Sequence, residues 1–271
     1  MNDSSPGREP VPTPEIDTGV PHSARVWNYW LGGKDNYPVD RAAGDRYREI
    51  FPGIVDTARA ARHFLARAVR HLAGEEGIRQ FLDVGTGLPT VDNTHEVAQR
   101  VAPDSRIVYV DNDPLVLAHA RALLTSAPEG RTDYVDADMR DPEKIVQAAA
   151  ATLDLTRPVA LMFMGVLGHI EDYDEARSIV RRLVNALPPG SLLALADSID
   201  VGAAHREAAR NYKDSGAIPY LLRTPEQVTG FFAGLEPIEP GIVPIRQWRP
   251  ESDPFGPPKE VATLGGVARK P

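Results

Sequence analysis

The stretch Phe81-Leu82-Asp83-Val84-Gly85-Thr86-Gly87 decides how this chain is read. An apolar run ends in an acid, breaks into two glycines and is followed by a helical pattern. This is a buried strand entering a glycine turn, the first strand-to-helix connection of a doubly wound α/β sheet. Gly85 and Gly87 have no Cβ, so a ligand can approach the backbone closely. The helix beyond is expected to aim its unpaired N–H groups at the same spot.

Charge narrows the ligand. A dinucleotide turn reads G-x-G-x-x-G and carries a pyrophosphate. Here Pro89 and Thr90 stand where the third glycine would be, and the Asp83 carboxylate would repel that pyrophosphate. S-adenosylmethionine has no phosphate. Its ammonium and sulfonium suit an acid at Asp83, and its carboxylate suits N–H donors at Gly85, Thr86 and Gly87. The same residues also admit a plain strand-to-loop turn with no ligand.

The flanking sequence repeats the strand–helix alternation. Upstream, apolar residues from Thr57 to Leu72 recur at three and four, giving an amphipathic helix whose arginines are expected to be solvated. Downstream, a helix over Asp92–Val101 precedes a strand over Arg106–Asp111. Asp111 lies roughly twenty residues past the turn, where an acid binds the two ribose hydroxyls. Asn112 follows it, and Asp113-Pro114 reads as a helix cap. A third strand, Thr132–Val135, leads into Asp136-Ala137-Asp138-Met139. Asp138 can accept from an adenine amino group while Met139 packs on the ring; Asp141 with Pro142 takes the capping role. A fourth strand, Pro158–Phe163, opens into Met164-Gly165-Val166-Leu167-Gly168-His169. The space beyond that strand end holds the reacting group. Gly165 is therefore placed at the cofactor, and His169 is a candidate base whose plainer reading is a packed or capping residue. Ser191–Ala196 ends at Asp197 as a fifth strand. Proline-broken sequence between Leu235 and Ile245 and the run Val261–Ala268 supply the last ones.

Before the sheet lies Pro21–Tyr37, dense in aromatics, amides and charge. Trp27, Tyr29 and Trp30 can anchor the N-terminus to the core, or cover the cofactor as a lid. In the second reading, Asn28 and Tyr29 lie nearest the methionyl group, and Gly32-Gly33 lets the segment bend. The expected division is a disordered tail over residues 1–20, a helical cap or lid segment over 21–77, and the catalytic domain over 78–271.

Composition removes several function classes. The 271 residues are 42% hydrophobic, enough for one sizeable core, with no apolar run long enough to span a membrane. Cysteine is absent, which excludes disulfides and thiolate chemistry and fits a cytoplasmic location. A net charge of −8 does not favour nucleic acid. No His/Asp/Glu cluster has metal-ligand spacing, and no Gly-x-Ser-x-Gly elbow is present.

The set Asp83-x-Gly85-x-Gly87, Asp111 and Asp138-Met139 resembles class I S-adenosylmethionine-dependent methyltransferases. More closely, the chain resembles an actinobacterial S-adenosyl methyltransferase family formerly catalogued as a domain of unknown function. The stretches Ala24–Tyr37, Phe81–Thr90 and Tyr109–Pro114 carry that likeness. It implies a Rossmann-like, seven-stranded, mostly parallel sheet with an antiparallel last strand, and S-adenosylmethionine as cofactor. Methyl transfer to a small-molecule acceptor is the expected activity. The rivals are a non-catalytic S-adenosylmethionine-binding regulatory module and an NAD-linked oxidoreductase. Acceptor and oligomeric state are left open.

Overall fold

The computed structural model describes residues 16–123, 125–250 and 260–271. Three helices come first: α1 (Ser23–Trp30), α2 (Pro38–Ile50) and α3 (Ile54–Gly74). Strands and helices then alternate through β1 (Gln80–Val84), α4 (Thr94–Val101), β2 (Arg106–Asp111), α5 (Pro114–Leu123), β3 (Arg131–Asp136) and α6 (Pro142–Ala149). The chain continues with β4 (Ala160–Met164), α7 (Tyr173–Ala186), β5 (Leu192–Ser198), α8 (Ala203–Asp214) and α9 (Pro225–Gly230). It ends with β6 (Glu236–Pro237), β7 (Val243–Pro244) and β8 (Thr263–Arg269).

The described strands form one sheet in the order β3-β2-β1-β4-β5-β8-β6, with β7 also pairing β8. The first five are parallel, and β8 runs antiparallel to β5. The count is eight rather than the expected seven. The prolines between Leu235 and Ile245 split one strand into two two-residue pieces, since proline donates nothing to a ladder.

Alternating side chains feed two faces. Leu82, Val84, Val108, Val110, Leu161 and Phe163 pack under α6, α7 and α9. Phe81, Ile107, Tyr109, Ala160 and Met162 pack under α3 and α4. The helix α3 is thus a layer of the sheet's own core, through Phe64, Leu65, Val69 and Leu72. The expected boundary between residues 77 and 78 falls inside this packed unit. The smaller core of the N-terminal segment joins Val26, Tyr47 and Ile54 to Ala208 and Tyr212 of α8.

Of the expected disordered tail, residues 1–15 lie outside the described residues. Residues 16–20 are tied down instead: Arg25 donates to the carbonyls of Asp17 and Val20, and Ile16 packs near Leu88 and Leu115. Among the described residues, no helix is long and apolar enough to cross a membrane.

Trp248 fastens the C-terminal segment to α3. It is fully buried, edge-on to Phe64 at 5.5 Å, and Arg67 donates to its carbonyl at 3.0 Å. Its indole N–H has no partner among the described residues. Trp248→Ala is therefore expected to cost about 3–5 kcal/mol in urea denaturation, as large core truncations do. Trp248→Phe should cost much less, because it also removes a donor buried without a bond. A loss below about 1 kcal/mol for the alanine variant would show that α3 is held without this contact.

Candidate functional site

A single cavity runs along the edge where the parallel strands end. The loops after β1, β2, β3, β4 and β5 and the inner face of α1 line it. Hydrogen bonds from each loop to the neighbouring strand hold it there. Gly85 N donates to Val110 O at 2.8 Å, Ala137 N to Asp111 O at 3.2 Å, and Gly165 N to Ala196 O at 2.8 Å.

The first loop is fixed by its glycines. Gly85 has φ 73°, and a Cβ there would come within 2.3 Å of Val166. The protein itself, rather than a ligand, fills that space. Gly87 has φ 67° and nothing within 4 Å of the place a Cβ would take, so its open side faces the cavity. Asn93 substitutes for the missing third glycine. Its side-chain oxygen accepts from Thr90 N at 3.0 Å and its amide donates to Thr90 O at 2.6 Å, closing the Pro89-Thr90 bend.

That bend delays the helix. The expected anion-binding N-terminus is not delivered to the glycine turn: α4 starts at Thr94, capped by Asn93 with Glu96. Its early donor His95 N is engaged by the Tyr109 hydroxyl at 2.8 Å. What α4 does supply is the Thr94 hydroxyl, which donates to Asp83 at 2.6 Å.

Asp83 is 4% exposed. Burial pushes its carboxyl up to about 6, while Thr94 and Arg62 pull it down and Asp111 pushes it further up. Arg62 is the residue sequence reasoning misplaced. It was read as part of a solvated face; instead it lines the cavity and donates to the carbonyls of Val91 and Asp92 at 3.0 and 2.9 Å. The helical period gave no warning, because Arg62 sits at the margin of the apolar stripe of α3.

Asp111 fastens the second loop to the first. One oxygen accepts from Gly87 N and the other from Asp113 N, both at 2.9 Å, and burial pushes its pKa up. Each oxygen keeps a lone pair for a ligand. Asn112 lies exposed beside it on the cavity wall. Asp113 caps α5 through Leu115 N at 2.8 Å and pairs with His22 at 3.0 Å. Asp138 and Met139 line the cavity beyond β3. Asp138 is partly engaged, accepting from Arg140 N at 2.9 Å, while Asp141 caps α6. Gly165, at φ 72°, lines the cavity at the end of β4.

The N-terminal pair divides. Asn28 borders the cavity, buried, with its amide oxygen accepting from Asp35 N and Asn36. Gly33 is required there, since a Cβ would meet the Asn28 amide at 2.4 Å. Tyr29 does not line the cavity. Its hydroxyl donates to Asp45 of α2 at 2.9 Å. The turn of the helix, about 100° per residue, carries Tyr29 to the α2 side, against Gly44 and Asp45.

His169 occupies the wall after β4. Its Nδ1 lies 2.9 Å from the Pro219 carbonyl, which can only accept, so Nδ1 carries the proton and Nε2 is an acceptor. The ring stands edge-on to Tyr220 at 5.0 Å. Burial lowers its pKa, the Pro219 bond opposing and His22 and Arg140 adding to the fall. Tyr220, missed in the sequence, is anchored by a short bond to buried Asp197.

These residues fit a positively charged, phosphate-free ligand: a buried carboxylate at the end of β1, half-buried ones at the end of β2 and after β3, and a turn with open space above Gly87. The comparisons agree. The S-adenosyl methyltransferase family model matches residues 10–271. The chain belongs to the S-adenosyl methyltransferase family. A DUF574 family protein from Streptomyces avermitilis is 48% identical, with TM-score 0.90 over 95% of this chain and all of that one. A candidate methyltransferase from Thermobifida fusca is 42% identical, with TM-score 0.86 over 96% and 98% of the two chains. An S-adenosylmethionine-dependent methyltransferase from Anabaena variabilis shares the fold at 15% identity and TM-score 0.51, over 96% of this chain and 98% of its own. No curated protein matches. The family assignment sets aside the oxidoreductase reading: this methyltransferase uses S-adenosylmethionine.

The two glycines of its first turn should respond differently to alanine. Gly87→Ala should cost about 1–2 kcal/mol, the left-handed backbone penalty alone. Gly85→Ala should cost about 2–5 kcal/mol, because the clash with Val166 adds to it. Urea denaturation of both variants checks this, and equal losses would mean that Val166 yields freely.

Proposed function

We propose that the methyltransferase holds S-adenosylmethionine in strand order along the sheet edge and methylates a small molecule. Asp83 meets the ammonium, and the Gly85-Thr86-Gly87 turn meets the rest of the methionyl end. Asp111, with Asn112, takes the ribose hydroxyls. Asp138 and Met139 take the adenine. Gly165 lets the cofactor approach the end of β4, and Asn28 of α1 closes over the methionyl end. Tyr29 is no longer in this set. The observation that carries the assignment is the placement of three acids at the ends of the adjacent strands β1, β2 and β3, on one cavity whose glycine turn is open. The absence of cysteine supports a cytoplasmic setting.

When bound, the cofactor supplies an electrophilic methyl group on a sulfonium. The chain's part is to orient the acceptor and exclude water. The cavity walled on one side by α1 suits a small acceptor better than a polymer.

Asp83 makes the reading testable by pH. In the free protein its raised pKa favours folding at low pH. That contribution is fully present below about pH 4 and is lost as pH rises through about 6. A bound ammonium reverses the preference, since it needs the carboxylate. Affinity for S-adenosylmethionine should therefore fall about tenfold between pH 7 and pH 5 as Asp83 takes up its proton. Asp83→Asn should weaken binding at least about tenfold at pH 7, as expected for loss of a charged bond, and flatten the pH dependence. Calorimetric titration measures both. Wild-type affinity in the asparagine variant would remove Asp83 from the site.

A further inference from the structure

The cavity has two chemically different ends. Its charged and ionisable lining residues, among them Arg62, Asp83, Asp111 and Asp138, gather under β1–β3, with His169 beyond β4. Another part of its wall is built of rings. Trp27 stands edge-on to Trp30 at 5.8 Å, Trp30 to Tyr47 at 5.3 Å, and Tyr47 to Tyr212 at 6.4 Å. All four rings line the cavity, as do Ile54 and Leu65. They come from α1, α2 and α8, outside the sheet. Trp30 is locked by a bond from its indole to Gly44 O at 3.1 Å.

We propose that this ringed chamber binds a flat, uncharged aromatic alcohol, and that His169 Nε2 is the base that receives its hydroxyl proton. The inference rests on the cofactor assignment above. With the adenine over β3, the ribose over β2 and the methionyl end over β1, the reactive methyl faces the β4 side. His169 follows β4 and lines the same cavity as the rings. The aromatic walls offer edge and face contacts to a planar ring. Among the described residues, the rings and the apolar Ile54 and Leu65 of this wall carry no charge, so an ammonium or carboxylate acceptor packed on them would lose its hydration without a counter-charge there. An aliphatic alcohol is too weak an acid for an imidazole to deprotonate usefully; a phenol is closer in acidity to tyrosine, at about 10.

The Pro219 carbonyl holds the proton on Nδ1 and so presents Nε2 as the acceptor. Leu221 N bonds Gly168 O at 2.8 Å, tying the 219–221 segment to the turn that carries His169. Gly168 has no room for a Cβ, which would meet the Tyr220 ring at 2.5 Å. The base is therefore positioned by neighbouring chain rather than by chance packing. In the reaction the phenolic oxygen gains the methyl carbon, the carbon–sulfur bond breaks and its electron pair stays on sulfur. The hydroxyl proton passes to His169 Nε2 and then to solvent, so one proton is released per methyl ether formed.

The test uses 2-naphthol, with naphthalene as a probe lacking the hydroxyl, on protein saturated with S-adenosylhomocysteine. Saturable binding of 2-naphthol is expected, with a shift of the His169 Nε2 resonance that naphthalene does not cause. His169→Ala should weaken 2-naphthol about two- to tenfold, the worth of one hydrogen bond, and leave naphthalene unchanged. Trp27→Ala should weaken both. With S-adenosylmethionine, the protein should form 2-methoxynaphthalene, and His169→Gln should lower that turnover about 10²–10⁴-fold at unchanged S-adenosylhomocysteine affinity. Failure to bind S-adenosylhomocysteine would overturn the cofactor assignment itself. Binding of S-adenosylhomocysteine without 2-naphthol would overturn only the acceptor class. Equal loss of both probes in His169→Ala would remove His169 from contact with the hydroxyl.

Discussion

Parallel pairing of β3, β2, β1, β4 and β5 is the constraint on which everything else rests. Five parallel strands must end along one edge, and each releases backbone groups there that need partners. The chain meets that need sideways. Gly85 N, Ala137 N and Gly165 N each reach the last carbonyl groups of an adjacent strand. The loops are thereby locked to one another, and the side chains just beyond the strands converge. Asp83, Asp111 and Asp138 are neighbours for this reason, although 28 and 27 residues separate them in the chain.

A second buried interaction builds the other half of the cavity. Asp40 is fully buried and pairs with Arg25 at 3.1 Å; it also accepts from His22 N and Tyr37 N. Arg25 uses its remaining donors on Asp17 and Val20 carbonyls and lies over the Tyr37 ring. A buried ion pair stabilises only when its other hydrogen-bonding groups are satisfied, and here they are. The result fixes α1 against α2 with Trp27 and Trp30 turned toward the cavity. The carboxylates of the cavity thus stand at the strand ends, and its rings come from α1, α2 and α8.

Buried polar side chains around the sheet are held by partners well separated in sequence. Thr94 meets Asp83, Tyr109 meets His95, and Asp197 meets Tyr220. Asp197, like Asp83, is pushed up to about 6 by burial. Such groups are costly in a core unless bonded, which makes their arrangement specific.

The sequence by itself determined the sheet and the charged end of the site. Strand periodicity, glycine positions and acids at strand ends are local signals, and the fold places every strand end at the same edge. That Asp83, Gly87, Asp111 and Asp138 line one cavity was legible for that reason. Only the tertiary structure decided the rest. Arg62 turns inward because α3 lies against α4, whose leading loop offers it the Val91 and Asp92 carbonyls, and helical periodicity cannot show this. Tyr29 turns away because α2 offers it Asp45. The tautomer of His169 depends on a carbonyl fifty residues on, at Pro219. The aromatic chamber needs α1, α2 and α8 to meet, and contacts between elements far apart in sequence leave no periodic trace in any one of them.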